Sequence, residues 1–168
     1  IWTVVPIGPE SYNRMHSKMR TVNKILAWGH ARGIENLMER RSEMNPTPEL
    51  AISDQFARSK STVADALMEL GRDLELIQRH KAEEDLAVAG ASILARDVFV
   101  SKLDELSEKT GVSLPKGGGA QVDEVAKELV KSQGQTVLNP VAKIHFRNAA
   151  RALGLPESPK SDEKWYKK

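Results

Sequence analysis

Lys81-Ala-Glu-Glu-Asp-Leu-Ala-Val-Ala-Gly-Ala-Ser-Ile-Leu-Ala-Arg96 is the stretch on which the reading of this chain turns. Three acids, Glu83, Glu84 and Asp85, come directly before a nearly unbroken apolar run from Leu86 to Ala95. The run falls short of the roughly 18 apolar residues that suggest a membrane span, so its pattern predicts a buried helix. Small residues (Ala87, Ala89, Gly90, Ala91 and Ser92) would let a neighbouring backbone come close. A carboxylate at the mouth of such a helix is either a solvated N-terminal charge or a group positioned by the packing behind it.

The flanking segments set the fold class. Upstream, Leu50–Ser53 reads as a short buried strand with Asp54 just beyond it, and Leu74–Gln78 as a second strand. Between them Ser61–Gly71 has the spacing of an amphipathic helix, carrying Val63, Ala64, Leu67, Met68 and Leu70. The helix opened by the quoted stretch is expected to run to about Lys109, with Val88, Ala91, Ala95, Val98, Phe99, Leu103 and Leu106 as its inner stripe. Nearer the start, Trp2–Ile7 is rich in β-formers, and Met19–Arg41 is helical until Asn45-Pro-Thr-Pro48 stops it. Beyond the central helix come a glycine loop, Gly111–Gly119, and two helices, near Ala120–Ser132 and Asn139–Leu153. Strands alternating with helices imply an α/β fold with parallel pairing and flanking helices, followed by a helical C-terminal part. Few strands serve many helices, and the first residue is Ile1 rather than Met. The sheet is therefore expected to be incomplete in this chain, with strands upstream. One domain portion should span residues 1–155, followed by a loose basic tail, 156–168.

Bulk properties narrow the chemistry. At 168 residues the chain can bury a core without staples. It has no cysteine, which removes disulfides, thiolate nucleophiles and Cys-ligated zinc. Nothing resembles a signal peptide or membrane span, so a cytoplasmic location and no membrane partner are expected. A net charge of +2 permits nucleic-acid binding without demanding it.

Asp54 and Glu83 follow consecutive strands. In parallel sheets ligands bind outside the carboxyl ends of the strands, so both can reach one rim and offer hard oxygens to Mg²⁺. The plain alternative is that both are caps or solvated charges. His30, His80 and His145 lack zinc spacing, and most lone histidines are structural or on the surface. Lys143 and Arg147 flank His145 with bases able to touch a phosphate. Pro115-Lys-Gly-Gly-Gly119 lacks the Gly-Lys-Ser/Thr ending of a Walker loop; it is either a flexible helix lead-in or a backbone cradle for phosphate aided by Lys116. No nucleophile elbow is present.

Six segments, taken in order, resemble ribonuclease HIII of the type 2 ribonuclease H group. They are Gly8-Pro-Glu-Ser-Tyr-Asn13; Leu26-Ala-Trp-Gly-His-Ala-Arg32 with Ile34-Glu-Asn36; Ile52-Ser-Asp-Gln-Phe56; Lys81-Ala-Glu83 with Ala89-Gly-Ala-Ser-Ile-Leu-Ala-Arg96; Leu114-Pro-Lys-Gly-Gly-Gly119 leading to Val122-Asp123; and Ala142-Lys-Ile-His-Phe146 with Asn148. The resemblance implies a ribonuclease H-like layered fold and hydrolysis of the RNA strand of RNA–DNA hybrids. It further implies four clustered carboxylates with Mg²⁺ or Mn²⁺, working by a two-metal mechanism that leaves 5′-phosphate and 3′-hydroxyl ends. By motif, Asp54 matches the third carboxylate and Glu83 the fourth; Glu84 is the runner-up for that last place and Asp85 stands third. The motif carrying the first two carboxylates does not occur in this sequence. The chain is thus expected to be the C-terminal part of such an enzyme, completed by an N-terminal segment or a partner chain, or else a hybrid-binding module without catalysis. Lys116, Gly117, Lys143, His145 and Arg32 are the expected contacts to the hybrid backbone.

Overall fold

A computed structural model describes residues 1–156, so the tail expected at 156–168 lies outside the described residues beyond Pro156. Two compact units are present. The first comprises Ile1–Pro6 and Met19–Phe99; the second comprises Ile7–Lys18 and the residues from Val100 onward.

In the first unit, helix α2 (Val22–Met38) starts where Thr21, in extended geometry, accepts a hydrogen bond from Lys24 N at 3.3 Å. Such a cap satisfies one of the helix's orphan donors and contributes about 1 kcal/mol. Ala27, Ala31, Glu35 and Met38 recur at helical spacing and are buried, together with Ile25. Strands β1 (Leu50–Asp54) and β2 (Glu75–Arg79) pair in parallel, Asp54 lying opposite Arg79. The crossover between them holds the short helix α3 (Ser61–Ala64) and a 3₁₀ turn, Leu70–Asp73. α2 packs against both. The mixed α/β architecture with parallel pairing is as expected.

Four elements differ from expectation. Ser61–Gly71 is not one helix: the carboxylate of Glu35, buried on α2, accepts from Leu70 N (3.1 Å) and Gly71 N (2.9 Å), taking two donors that a continuous helix would turn on its own carbonyls. The approach is close. A Cβ on Gly71 would lie 3.1 Å from Ile34 Cγ2. Trp2–Ile7 forms no strand, because among the described residues the sheet has two strands and offers it no ladder. The central helix, α4 (Leu86–Thr110), begins with the apolar run, as expected, because Asp85 caps it: the Asp85 side chain accepts from Ala87 N at 2.9 Å and its carbonyl from Ala89 N at 2.9 Å. The expected inner stripe of α4 contains no buried residue, since no other element packs along that helix to more than a marginal extent. No helix among the described residues is long and apolar enough to cross a membrane.

The second unit contains α1 (Pro9–Met19, belonging here through Lys18), α5 (Ala120–Gln133), α6 (Leu138–Val141) and α7 (Arg147–Ala152). Tyr12, Leu129, Leu138 and Ala149 are its buried apolar residues. The helix expected over Asn139–Leu153 is interrupted at Ala142–Phe146. Asn13 is the cause: its amide donates to Ala142 O (2.9 Å) and Asn139 O (3.1 Å), and its carbonyl oxygen accepts from Ile144 N (3.0 Å). Gly111, at φ +70, closes α4 in the left-handed conformation that glycine adopts without strain.

Candidate functional site

The carboxyl ends of β1 and β2 form the rim at which Asp54 and the acidic cluster come together, all within the first unit. Asp54 is the last residue of β1 and is exposed. Behind it the ladder continues for one more bond, Gln55 N donating to Arg79 O at 3.0 Å. The chain then reverses through Lys81 in left-handed geometry (φ 56) into a 3₁₀ turn, Ala82–Glu84. That reversal aims Ala82 N at Asp54 Oδ1, 3.3 Å away, while the Ala82 side chain is fully buried beneath. Glu83 and Glu84 sit on the turn, both exposed.

The three acids of the sequence cluster separate by role. Asp85 is committed to capping α4, and it also lies 3.9 Å from Arg79. Glu83 and Glu84 have no such engagement among the described contacts, and neither does the outer oxygen of Asp54. These are hard oxygen donors facing solvent at the end of a parallel sheet, the donor type that suits Mg²⁺ or Mn²⁺, ions that take one or two carboxylates and fill the rest of the shell with water and phosphate. Among the described residues no group of three or more His, Asp or Glu side chains is arranged to hold a metal. The rim therefore fits as a partial donor set.

His30 is a neighbour that sequence spacing gave no role. Its Nδ1 lies 3.4 Å from Ser53 Oγ, and its ring stacks on Phe56 at 5.1 Å between centroids. Ser53 is buried and donates to the Asp54 carbonyl at 3.1 Å. Crowding of the imidazole by protein atoms lowers the His30 pKa, and the Asp54 charge pulls it back up, so the two side chains sense each other. Neutral at physiological pH, His30 sits behind the carboxylate without cancelling its charge. The only signal in the sequence was a histidine on the α2 face that reaches β1, which needs the packing of α2 to be known.

The expected phosphate contacts lie in both units. Arg32 is half-buried on α2. In the second unit Lys116 and Gly117 are exposed on the glycine loop, where Gly117 has φ +94. This loop is tied down at Gly118, whose carbonyl accepts from Asn148 Nδ2 at 3.0 Å. Asn148 also donates to Asp123, which takes Arg151 on its second oxygen. Lys143 is exposed, its ammonium 4.5 Å above the Tyr12 ring. His145 stacks against His16 at 3.8 Å, with both its ring nitrogens buried and without a hydrogen-bond partner. Burial first, then the charges of His16 and Lys143, lower its pKa to about 4.

Comparison with known proteins gives one consistent answer. Residues 6–149 match the family described as Ribonuclease HII. Ribonuclease HIII of Chlamydia muridarum is 42% identical over 152 residues, covering 90% of this chain and 49% of the relative. The Chlamydia felis protein of the same name is 42% identical over 147 residues, covering 87% and 47%. Among solved structures, Bst-RNase HIII in complex with Mn²⁺ superposes with a TM-score of 0.75 at 32% identity, over 88% of this chain and 48% of that one. Aquifex aeolicus RNase H3 gives 0.56 at 30% identity, over 83% and 46%. The chain thus spans about half the length of the relatives it matches.

Proposed function

The chain belongs to the ribonuclease HII family, and from that membership we propose that it carries part of the catalytic centre of a ribonuclease H, an endonuclease acting on the RNA strand of RNA–DNA hybrids. The observation that carries this reading is the rim itself: Asp54 ends β1, Glu83 lies on the turn after β2, and both side chains face solvent. Asp54 and Glu83 would hold divalent metal, Mg²⁺ or Mn²⁺; the presence of Mn²⁺ in the Bst-RNase HIII structure supports this choice. Bound there with the rest of its donor set, divalent metal would supply activation of a water and stabilisation of charge on the leaving 3′ oxygen, chemistry that would leave 5′-phosphate and 3′-hydroxyl ends.

The chain's own residues do the rest. The Ala82 N–H fixes one oxygen of Asp54 and leaves the other outward. Ser53 and His30 brace the strand end behind it. Recognition of the hybrid rests on backbone shape and 2′-hydroxyls, with Arg32 in the first unit and Lys116, Gly117 and Lys143 in the second as contacts; His145, expected among them, has both ring nitrogens buried and offers no such contact. A cysteine-free chain suits a reducing cytoplasm.

A second reading draws on a specific observation. No group of three metal-capable side chains is found among the described residues, which fits a hybrid-binding module whose catalysis depends on carboxylates from elsewhere. One experiment separates the two. Cleavage and binding of a labelled RNA–DNA hybrid are measured in Mg²⁺ and in Mn²⁺ for the wild type, Asp54→Asn and Glu83→Gln. Cleavage that drops at least 100-fold in both variants supports the catalytic reading. Hybrid binding with no cleavage by the wild type supports the second, and cleavage undiminished by either substitution overturns the assignment of the two carboxylates.

A further inference from the structure

Three segments of the second unit meet at one side chain, Asn148 of α7: the glycine loop, α5 and α7 itself. The loop is fixed near its start, where Thr110 Oγ1 donates to Val112 O (3.2 Å) and Ser107 Oγ accepts from Leu114 N (3.0 Å). Its other anchor is Gly118, whose carbonyl accepts from Asn148 Nδ2 at 3.0 Å. Between the two anchors stand Pro115, Lys116 and Gly117. Lys116 and Gly117 are exposed, and Gly117 has φ +94. Glycine has a wide choice of backbone conformations, so a bridge of this kind keeps one shape only when both its ends are held.

The Gly118 anchor is itself braced. The Asn148 amide has two hydrogens and directs one to Gly118 O and the other to Asp123 Oδ1, in the first turn of α5. Asp123 is held in turn by Arg151 on its second oxygen, and its side chain is only 15% exposed. The fit is close from the loop side as well, since a Cβ on Gly118 would stand 3.3 Å from Asn148 Oδ1. A carboxamide suits this place. A carboxylate of the same size would bring no hydrogen and would meet Asp123 as a like charge.

We propose that Asn148 is a positioning residue for hybrid binding: braced by Asp123 and Arg151, it holds Gly118 and so presents Lys116 to a phosphate of the hybrid backbone without touching the nucleic acid itself. Ordering a loop at the moment of binding costs affinity, and a loop held beforehand avoids that cost without any added contact. The proposal rests on the reading of Lys116 as a hybrid contact. It does not rest on the metal reading.

The test measures binding of a labelled RNA–DNA hybrid to the full chain in EDTA, so that cleavage plays no part, over a series of KCl concentrations. Lys116→Ala should lower the slope of log affinity against log salt by about 1, the mark of one lost phosphate contact. Asn148→Ala should weaken binding about threefold in the wild-type background and leave it nearly unchanged in the Lys116→Ala background, because it acts through that lysine. Nitrogen relaxation should show the Lys116 and Gly117 amides loosened in Asn148→Ala. Gly118→Ala, which crowds the same amide from the loop side, should weaken binding in the same way and serves if Asn148→Ala does not fold. Losses that multiply in the double variant overturn the proposal, as do unchanged amides at Lys116 and Gly117. Hybrid affinity that ignores Lys116→Ala refutes the reading of Lys116 and the proposal with it. Affinity that falls with Lys116→Ala but with neither Asn148→Ala nor Gly118→Ala refutes the proposal alone.

Discussion

Glu35 and Asp54 are carboxylates of the same unit with opposite careers. Glu35 is buried on α2, and its two oxygens are used up on the backbone of Leu70 and Gly71. Asp54 ends a strand in the open, with one oxygen resting on Ala82 N and the other uncommitted. One carboxylate folds the chain and the other keeps an oxygen open at the rim. What separates them is whether the surrounding backbone saturates the lone pairs, because a charge buried without such bonds would cost several kcal/mol.

The comparison is broken most easily at its structural end. Glu35→Ala should cost about 3 kcal/mol, since it strands one part-buried and one buried N–H group that had a charged acceptor. Urea unfolding followed by circular dichroism measures it, and a loss below about 0.5 kcal/mol would mean that the 3₁₀ turn holds without its carboxylate. At the other end, Asp54→Asn should leave unfolding within about 0.5 kcal/mol of wild type. In the same variant, Mn²⁺ affinity read by electron paramagnetic resonance should fall at least tenfold, or about 1.4 kcal/mol. A variant that unfolds early but keeps its metal would reverse the roles.

A third test asks what happens to a buried polar group that, unlike Glu35, has no partner. His145 is held neutral by burial and by His16 and Lys143, its pKa lowered to about 4 from the usual 6.5. The unfolded chain therefore takes a proton that the folded chain refuses. Stability is full above about pH 6.5, declines as the pH falls toward 4, and is level below that. Discounted for partial solvent screening, the loss attributable to His145 is roughly 1 kcal/mol. Thermal unfolding from pH 7 to 4 should show that slope in the wild type and a shallower one in His145→Phe. Smallest of all is the contrast inside the acidic turn. Glu83→Gln should weaken Mn²⁺ binding at least tenfold, and Glu84→Gln by less than twofold; equal effects would erase the distinction between the neighbours.

Much of this was legible in the residues. Runs of β-formers, helical spacing and prolines are local signals, and they place β1, β2, α2 and α5 to within a few residues. They also put Asp54 and Glu83 at one rim, because a parallel pair sends both carboxyl ends the same way. The failures share a cause. Ser61–Gly71 and Asn139–Leu153 carry helical spacing, but a polar side chain from far along the chain, Glu35 in one case and Asn13 in the other, takes the backbone groups a helix would use. Those pairs are 35 and 126 residues apart at their first bonds, beyond the reach of any local pattern. The apolar run of α4 failed differently. Its composition states that the helix is meant to be covered; it does not state by what.

The pairing of Asp54 with Arg79 has one more consequence. Because Ala82 follows Arg79 by three residues, the span from the first carboxylate to the turn bearing the next is measured out by strand register rather than by side-chain length. Sliding β1 by two residues would carry Asp54 about 6.6 Å along the sheet, and a slip of one would turn it to the opposite face. The ladder therefore acts as a ruler for the two carboxylates, and an insertion or deletion anywhere in two five-residue strands would be read out as a change in the spacing of charge at the rim.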